Sequence, residues 1–232
     1  MLSIERPRDL VPKFFGDTAG TYDRVAIWAT LGKDAYWKNE ILKLVPAINS
    51  CLDLACGTGI LTRNIAKKHP DAKVTGIDIS ESYLEVAKKN SKDKNITFVK
   101  GDAEKISLGK KFDCIVSSYI PKYCDPQTLA GVCARHLNPG GRVILHDFLY
   151  PQSKAMQNLW KAYFGFLGFV GFFVPSWKYA FQKLPSLIES SSWLEDYDFA
   201  LKKLGFATSR KLLTLKTSAI LVGINLDFQE HK

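Results

Sequence analysis

Leu52-Asp53-Leu54-Ala55-Cys56-Gly57-Thr58-Gly59, followed by Val74-Thr75-Gly76-Ile77-Asp78-Ile79-Ser80, decides how the rest of this chain is read. The apolar run ending at Leu54 predicts a strand. Gly57 and Gly59 place a turn after it in which backbone can approach a ligand, because no Cβ stands in the way. A helix is expected from about Ile60. In open α/β sheets ligands bind beyond the carboxyl ends of the strands, so Asp78, closing the next strand, faces the same crevice and can accept hydrogen bonds from a ribose. The pattern reads as a nucleotide-type cofactor site and leaves two cofactor families open. A dinucleotide fingerprint asks for G-x-G-x-x-G. Thr62 stands at the third glycine position, which weakens the nicotinamide reading.

Working outward, strand and helix signals alternate regularly. Strands are expected near 50–55, 73–78, 95–99, 112–117 and 141–147, and helices near 59–69, 80–91 and 126–137. The last of these has Asp125 as cap, Pro126 at the first helical position, and Leu129, Val132, Cys133 and Leu137 on one face. A helix near 193–204 is expected between Ser192 as cap and Gly205 as stop. Two β-rich runs, 206–215 and 217–225, then meet at Lys216-Thr217 as a closing antiparallel hairpin. With 232 residues, 46% of them apolar, the chain can bury one full-sized core, and a single domain is the default.

The glycine turn resembles motif I of the class I S-adenosylmethionine-dependent methyltransferases, and further stations of that family follow in order. Asp78 matches the acidic ribose ligand, Gly101-Asp102-Ala103-Glu104 the loop that contacts adenine, Phe112-Asp113-Cys114-Ile115-Val116-Ser117-Ser118 the fourth strand, and Leu137-Asn138-Pro139-Gly140-Gly141-Arg142-Val143 the turn into the fifth. The resemblance implies an α/β, doubly wound, mostly parallel seven-stranded sheet with an antiparallel last strand, and S-adenosylmethionine as cofactor. It places cofactor contacts at Asp53, Ala55, Cys56, Gly57, Thr58 and Gly59, at Asp78 and Ile79, and at Asp102, Ala103 and Ser118. One methyltransferase domain over 1–232 is expected: a helical cap (1–48), a cofactor-binding core (49–148), an apolar helical insertion or lid (149–192), and a last helix with the closing hairpin (193–232).

The flanks narrow the resemblance. Phe14-Phe15-Gly16-Asp17-Thr18-Ala19-Gly20-Thr21-Tyr22-Asp23, with Trp37 further on, is similar to the amino-terminal segment of the ubiquinone/menaquinone biosynthesis C-methyltransferases, where Tyr-Asp precedes a helix that covers the cofactor. Lys183-Leu184-Pro185-Ser186-Leu187-Ile188-Glu189 and the Gly205-Phe206 stop fit the same family. The resemblance implies C-methylation of a quinone or hydroquinone acceptor, with Tyr22 beside the sulfonium. Three departures fall on the acceptor side: Ala26 stands where the family has asparagine, Ser118-Tyr119-Ile120-Pro121-Lys122-Tyr123 replaces Ser-Phe-Gly-hydrophobic-Arg-Asn, and His146-Asp147 stands where glutamate is usual. A hydroquinone carbon becomes nucleophilic when a neighbouring phenol loses its proton, so a general base is needed. Tyr22, Lys122, His146 and Asp147 are the candidates, each with a bland alternative as a surface or supporting residue.

Other chemistry finds little footing. Cys56 reads as a small residue that keeps the cofactor approach open, not as a nucleophile. His69, His136, His146 and His231 show no metal-ligand spacing, so no metal site is expected. Five cysteines without a C-x-x-C pair indicate a reducing, cytoplasmic compartment. Met1 to Arg8 lacks the apolar core of a signal peptide.

From Ala162 to Trp177 the chain carries no charge and is bracketed by Lys161 and Lys178. That is short of the roughly 20 apolar residues of a spanning helix. Phe164, Phe166, Phe169, Phe172 and Phe173 are too many rings for one packed face, which favours an apolar acceptor pocket or a peripheral contact at the inner face of the membrane over plain core packing. The net charge of +9 favours an anionic bilayer. Nucleic acid is not expected as a partner, because no separate RNA-binding module is present and Ser118-Tyr119-Ile120-Pro121 is not the Asn/Asp-Pro-Pro-aromatic motif. Methylation of another small molecule, a lipid head group or RNA, a cofactor-binding protein without transferase activity, and assembly as a homodimer stay open.

Overall fold

A strand covered on both faces is buried at consecutive positions, and Ser50–Leu54 (β1) meets that condition, with Cys51, Leu52 and Leu54 buried together with one polar residue, Asp53. The computed structural model describes residues 6–226; Met1 to Glu5 and the carboxyl end with His231 lie outside the described residues. The further strands are Lys73–Asp78 (β2), Ile96–Lys100 (β3), Phe112–Ser118 (β4), Leu137–Phe148 (β5), Phe206–Leu213 (β6) and Ser218–Asn225 (β7). Among the described residues these seven form one sheet in the order β3-β2-β1-β4-β5-β7-β6. The first five pair in parallel, while β7 runs antiparallel to both β5 and β6. This is the class I methyltransferase architecture, a doubly wound sheet with one reversed strand.

The helices are Val11–Phe15 (α1), Tyr22–Ala29 (α2), Lys33–Leu44 (α3), Ile60–Lys68 (α4), Glu81–Asn90 (α5), Pro126–His136 (α6), Lys154–Val170 (α7), Pro175–Glu189 (α8) and Trp193–Lys203 (α9). Because successive strand side chains point to opposite faces, Leu52, Ile115, Val143 and Leu221 join a core with α6 and α9. Their neighbours Cys51, Cys114, Ile144 and Ile220 join a second core with α3 and α4. A third cluster stands apart from the sheet: Leu10 and Phe14 pack with Tyr123 and with Leu167, Trp177 and Phe181 of the insertion. Each such buried side chain contributes about 1.5–3 kcal/mol, so cap and insertion fold against one another.

The chain leaves β1 towards β2 and β3, then returns to place β4 on the other side of β1. That reversal is the switch point at which such sheets open a crevice. Gly59, at φ +76°, starts α4 where a Cβ would press within 3.1 Å of both Ala87 and Phe98, so glycine is required on conformational and steric grounds.

Three local expectations are corrected. β5 starts at Leu137, earlier than 141, because the Asn138-Pro139-Gly140-Gly141 segment forms a bulged extension beside Phe112. Ser192 stands at the N-cap of α9, its carbonyl accepting from the Asp196 N–H at 3.0 Å, but its hydroxyl is directed to the Asp196 carboxylate at 2.5 Å and makes no side-chain cap. The hairpin does not turn at Lys216-Thr217 alone. Thr214, Leu215 and Lys216 all adopt positive φ, forming a short helical link anchored by Trp37 Nε1, which donates to Thr214 Oγ1 at 2.6 Å.

Candidate cofactor and acceptor site

A cavity of about 480 Å³ opens at the carboxyl ends of β1, β2, β3 and β4, within the roughly 300–1,000 Å³ of small-molecule sites. Ala55, Gly57, Asp78, Ile79, Asp102, Ala103 and Ser118 line it, together with Tyr22 from the cap. Asp78 is held at both oxygens: the backbone N–H of Gly57 donates to Oδ2 at 2.8 Å and that of Ser80 to Oδ1 at 2.9 Å. Desolvation raises the pKa of this carboxyl, and the two N–H donors oppose the rise.

Four expected cofactor residues do not line the cavity. Asp53 is enclosed beneath the turn, where Thr62 Oγ1 donates to it at 2.6 Å and burial pushes its pKa up to about 7. Cys56 packs its sulfur towards Gly76, and burial raises its thiol well above the usual range. Thr58 donates to Asp23 at 2.5 Å, tying the turn to α2. Gly59 serves the start of α4. These residues shape the turn from behind.

The wall facing Asp78 is aromatic. Phe15, Tyr22, Tyr83 and Tyr123 all line the cavity, with ring centroids 6.1 Å apart from Phe15 to each tyrosine and 5.4 Å between Tyr22 and Tyr83. Tyr83 is fixed by its hydroxyl at 2.7 Å from Thr18 Oγ1. The roof comes from the amino-terminal segment: Arg8, Val11, Pro12 and Gly16 line the cavity, and the Arg8 guanidinium pairs with both Asp102 and Glu104. No residue of 149–192 lines this cavity, so the insertion is not its lid; Trp177 instead stands behind Tyr22 at 6.0 Å and donates to Thr21 Oγ1 at 3.0 Å. The amino-terminal turn is short enough to lie directly over the crevice, and the insertion then covers the turn.

Of the base candidates, only Tyr22 lines the cavity. Desolvation, reinforced by the Asp34 carboxylate, raises its phenol well above the usual range, so it stays protonated. Lys122 and Asp147 pair with each other at 2.8 Å in the interior, and Asp147 also accepts the backbone N–H groups of Lys122 and Phe148. His146 is fully buried between Ser118 Oγ, 2.9 Å from Nδ1, and Ser218 Oγ, 2.7 Å from Nε2. Burial first, then the Lys38 and Lys122 cations, lowers its pKa well below the usual range, so the ring is neutral. It does not line the cavity itself and meets it through Ser118 and through the ring of Tyr119, 5.2 Å away between centroids.

Residues 51–141 match the methyltransferase-domain family model. The chain is 31% identical to the demethylmenaquinone methyltransferase of Chlorobaculum parvum, covering 94% of this chain and 93% of the relative. The corresponding protein of Thermotoga maritima is 26% identical, covering 91% and 94%. The chain belongs to the demethylmenaquinone methyltransferase family. It is an S-adenosylmethionine-dependent methyltransferase. Solved structures share the fold: the plantazolicin methyltransferase BpumL, in complex with a monoazolic desmethylPZN analogue and SAH, superposes with a TM-score of 0.66 at 15% identity, covering 95% of each chain. The N-methyltransferase NodS of Bradyrhizobium japonicum, in complex with S-adenosyl-L-homocysteine, gives 0.58 at 16% identity, covering 83% of this chain and 87% of its own.

The residues of this methyltransferase fit that cofactor. Ala55 and Gly57, both at positive φ, bring backbone to the cavity where a Cβ on Gly57 would already touch the Tyr83 ring at 3.6 Å. The carboxylate of Asp78 suits a ribose, Ile79 and Ala103 offer apolar contact to a base, and the rings of Phe15, Tyr22 and Tyr83 offer π faces to a sulfonium. Sequence reading gave no role to Arg8, Phe15 or Tyr83, and placed Tyr123 on the acceptor side only within the 118–123 departure. Phe15 lay within a quoted motif, and Tyr83 falls one turn after Ser80, where a helix leaving Asp78 returns towards the crevice.

Proposed function

We propose that this methyltransferase transfers a methyl group to a ring carbon of a hydroquinone-type acceptor carrying an apolar tail, of the demethylmenaquinol class. The observation that carries this reading is the aromatic wall of Phe15, Tyr22, Tyr83 and Tyr123 directly beside the Asp78 end of the cavity. Flat rings favour offset or edge contacts with a flat acceptor, and such a wall gives little to a phosphodiester backbone. Family membership supports the same acceptor.

The bound cofactor supplies an electrophilic methyl group on sulfur. The protein's own task is to orient the acceptor and keep water out. Ser118 is placed for the first part. If its hydroxyl donates to neutral His146 Nδ1, 2.9 Å away, its oxygen accepts from a phenolic O–H of the acceptor, which holds the adjacent ring carbon towards the donor and gives the phenolic proton a way out through Ser118 Oγ to Nδ1 as that carbon becomes nucleophilic. His146 thus acts through Ser118, while Lys122 and Asp147 hold the floor beneath it. A quinone's tail also gives the enzyme a reason to visit a membrane surface from the cytoplasmic side.

Turnover with a short-tailed demethylmenaquinone tests the reading. The reduced form, made with dithionite, should be methylated, and the oxidised form, whose ring carbon is electron-poor, should not. Methylation of neither form by a protein that binds S-adenosylmethionine would overturn the acceptor assignment.

A further inference from the structure

The structure assigns a docking surface for an anionic bilayer to two elements together, the carboxyl end of α2 and the turn joining α7 to α8. It deepens the proposed function and rests on that reading only for why a membrane is visited. Leu159, Phe166, Phe169 and Phe173 recur at helical spacing along α7 and into its turn, and all are exposed, Phe173 to 73%. Their burial partners are elsewhere: Leu167, Trp177 and Phe181 carry the packing against the cap, so the exposed rings are surplus to the fold. The stripe does not end at the insertion. Ile27, Trp28 and Leu31 are exposed beside it, Leu31 to 73%. Trp28 meets Phe166 at 6.3 Å between ring centroids, and Tyr163 donates to the Ala29 carbonyl at 2.9 Å. One continuous apolar surface results, of the kind that marks an interaction site.

Charge selects the occupant. From Lys154 to Glu189 the insertion carries Lys154, Lys161, Lys178 and Lys183 against a single acidic residue, Glu189, at the far end of α8. Lys178 Nζ lies 4.5 Å from the centroid of the Phe172 ring, so a cation sits at the edge of the aromatic surface. Arg24 and Lys33 flank the α2 contribution. A second copy of this chain would bring lysine against lysine, which is repulsive. An anionic bilayer takes the rings into its headgroup boundary and pairs the lysines with phosphate. The placement also reaches the cavity, because α2 begins with cavity-lining Tyr22 and carries Trp28 in its last turn, with Leu31 in the turn that follows.

Vesicles without any quinone test this surface independently of the acceptor. Co-sedimentation with phosphatidylglycerol/phosphatidylcholine vesicles should exceed that with pure phosphatidylcholine at least tenfold. Trp28→Ser with Leu31→Ser, and separately Phe169→Ser with Phe173→Ser, should each lower it about tenfold, with S-adenosylmethionine affinity unchanged. Trp37, Trp177 and Trp193 are buried and Trp160 is half-buried on α7, so in a Trp160→Phe background brominated lipids should quench mainly Trp28, and adding Trp28→Phe should remove most of that quenching. This arm stays decisive where a double variant fails to fold. Unquenched fluorescence, equal binding to neutral vesicles, or variants that disperse a dimer without affecting vesicle binding would overturn the assignment. A protein that binds vesicles but methylates no quinol keeps this surface and loses the proposed acceptor.

Discussion

Asp53 is a carboxyl shut away beneath the glycine turn, with Thr62 Oγ1 donating to it at 2.6 Å and its pKa pushed from 3.8 to about 7 by burial. A carboxyl whose folded pKa is raised binds its proton more tightly in the folded state. It therefore adds no penalty below about pH 4, where both states are protonated, and destabilises progressively as pH rises towards 7. At about 1.4 kcal/mol per pKa unit, the penalty reaches at most roughly 4 kcal/mol. Asp53→Asn should accordingly gain stability relative to the parent as pH rises from 4 to 8. Thermal midpoints of both proteins across that range check this, and a constant difference would show that Asp53 ionises as freely as in the unfolded chain.

Asp78 behaves differently because its oxygens are held at the cavity edge by the N–H groups of Gly57 and Ser80. Its replacement by alanine should weaken S-adenosylmethionine binding by about 1.5–3 kcal/mol, the range for hydrogen bonds to a charged group. Calorimetric titration with unchanged affinity would remove Asp78 from the site. The glycine turn and Asp78 could be read from sequence because their spacing follows from strand, turn and helix geometry. Which neighbouring side chains face the cavity could not. Asp53, Thr58 and Asp78 are all polar residues near the same turn, and only three-dimensional placement shows that Asp53 goes to Thr62 and Thr58 to Asp23.

Among elements, the turn after β4 and the end of β5 are bound by the Lys122–Asp147 pair, whose side chains are 2% and 0% exposed. Burial lowers the Lys122 pKa and the Asp147 charge counters it. Removing one partner strands the other charge, so Lys122→Met should cost roughly 3–5 kcal/mol, and Lys122→Met with Asp147→Leu should recover much of that loss. Urea midpoints of the two variants distinguish a floor-building pair from a reacting one. A single variant as stable as the parent but inactive would return Lys122 to the list of bases. The strands and the helices between and after them were legible element by element, since alternation is local, whereas α1, α2, α3, α7 and α8 were legible only as a helical cap and a helical insertion. The partnership of cap with insertion was not, because Phe14 and Trp177 meet across a long sequence separation and nothing local announces it. The same holds for Arg8, whose role comes from Asp102 and Glu104 on a distant loop.

At the scale of the whole molecule, a parallel sheet supplies a crevice at its switch point, the amino-terminal segment roofs it with aromatic rings, and the insertion backs that roof while turning its surplus phenylalanines outward. Such an arrangement keeps one small, largely apolar chamber, which under the proposed function takes cofactor and acceptor together. It predicts transfer to carbon, because the wall would hold an acceptor ring by its faces; of the described lining residues none is a lysine or histidine, and burial raises the thiol of Cys124, the cysteine among them, above its usual range. The direct measurement is carbon-13 NMR of the product made from methyl-labelled S-adenosylmethionine and reduced demethylmenaquinone. A new methyl resonance at the shift of a ring-bound methyl is the predicted result, whereas a methoxy resonance, or label recovered only in RNA, would contradict it.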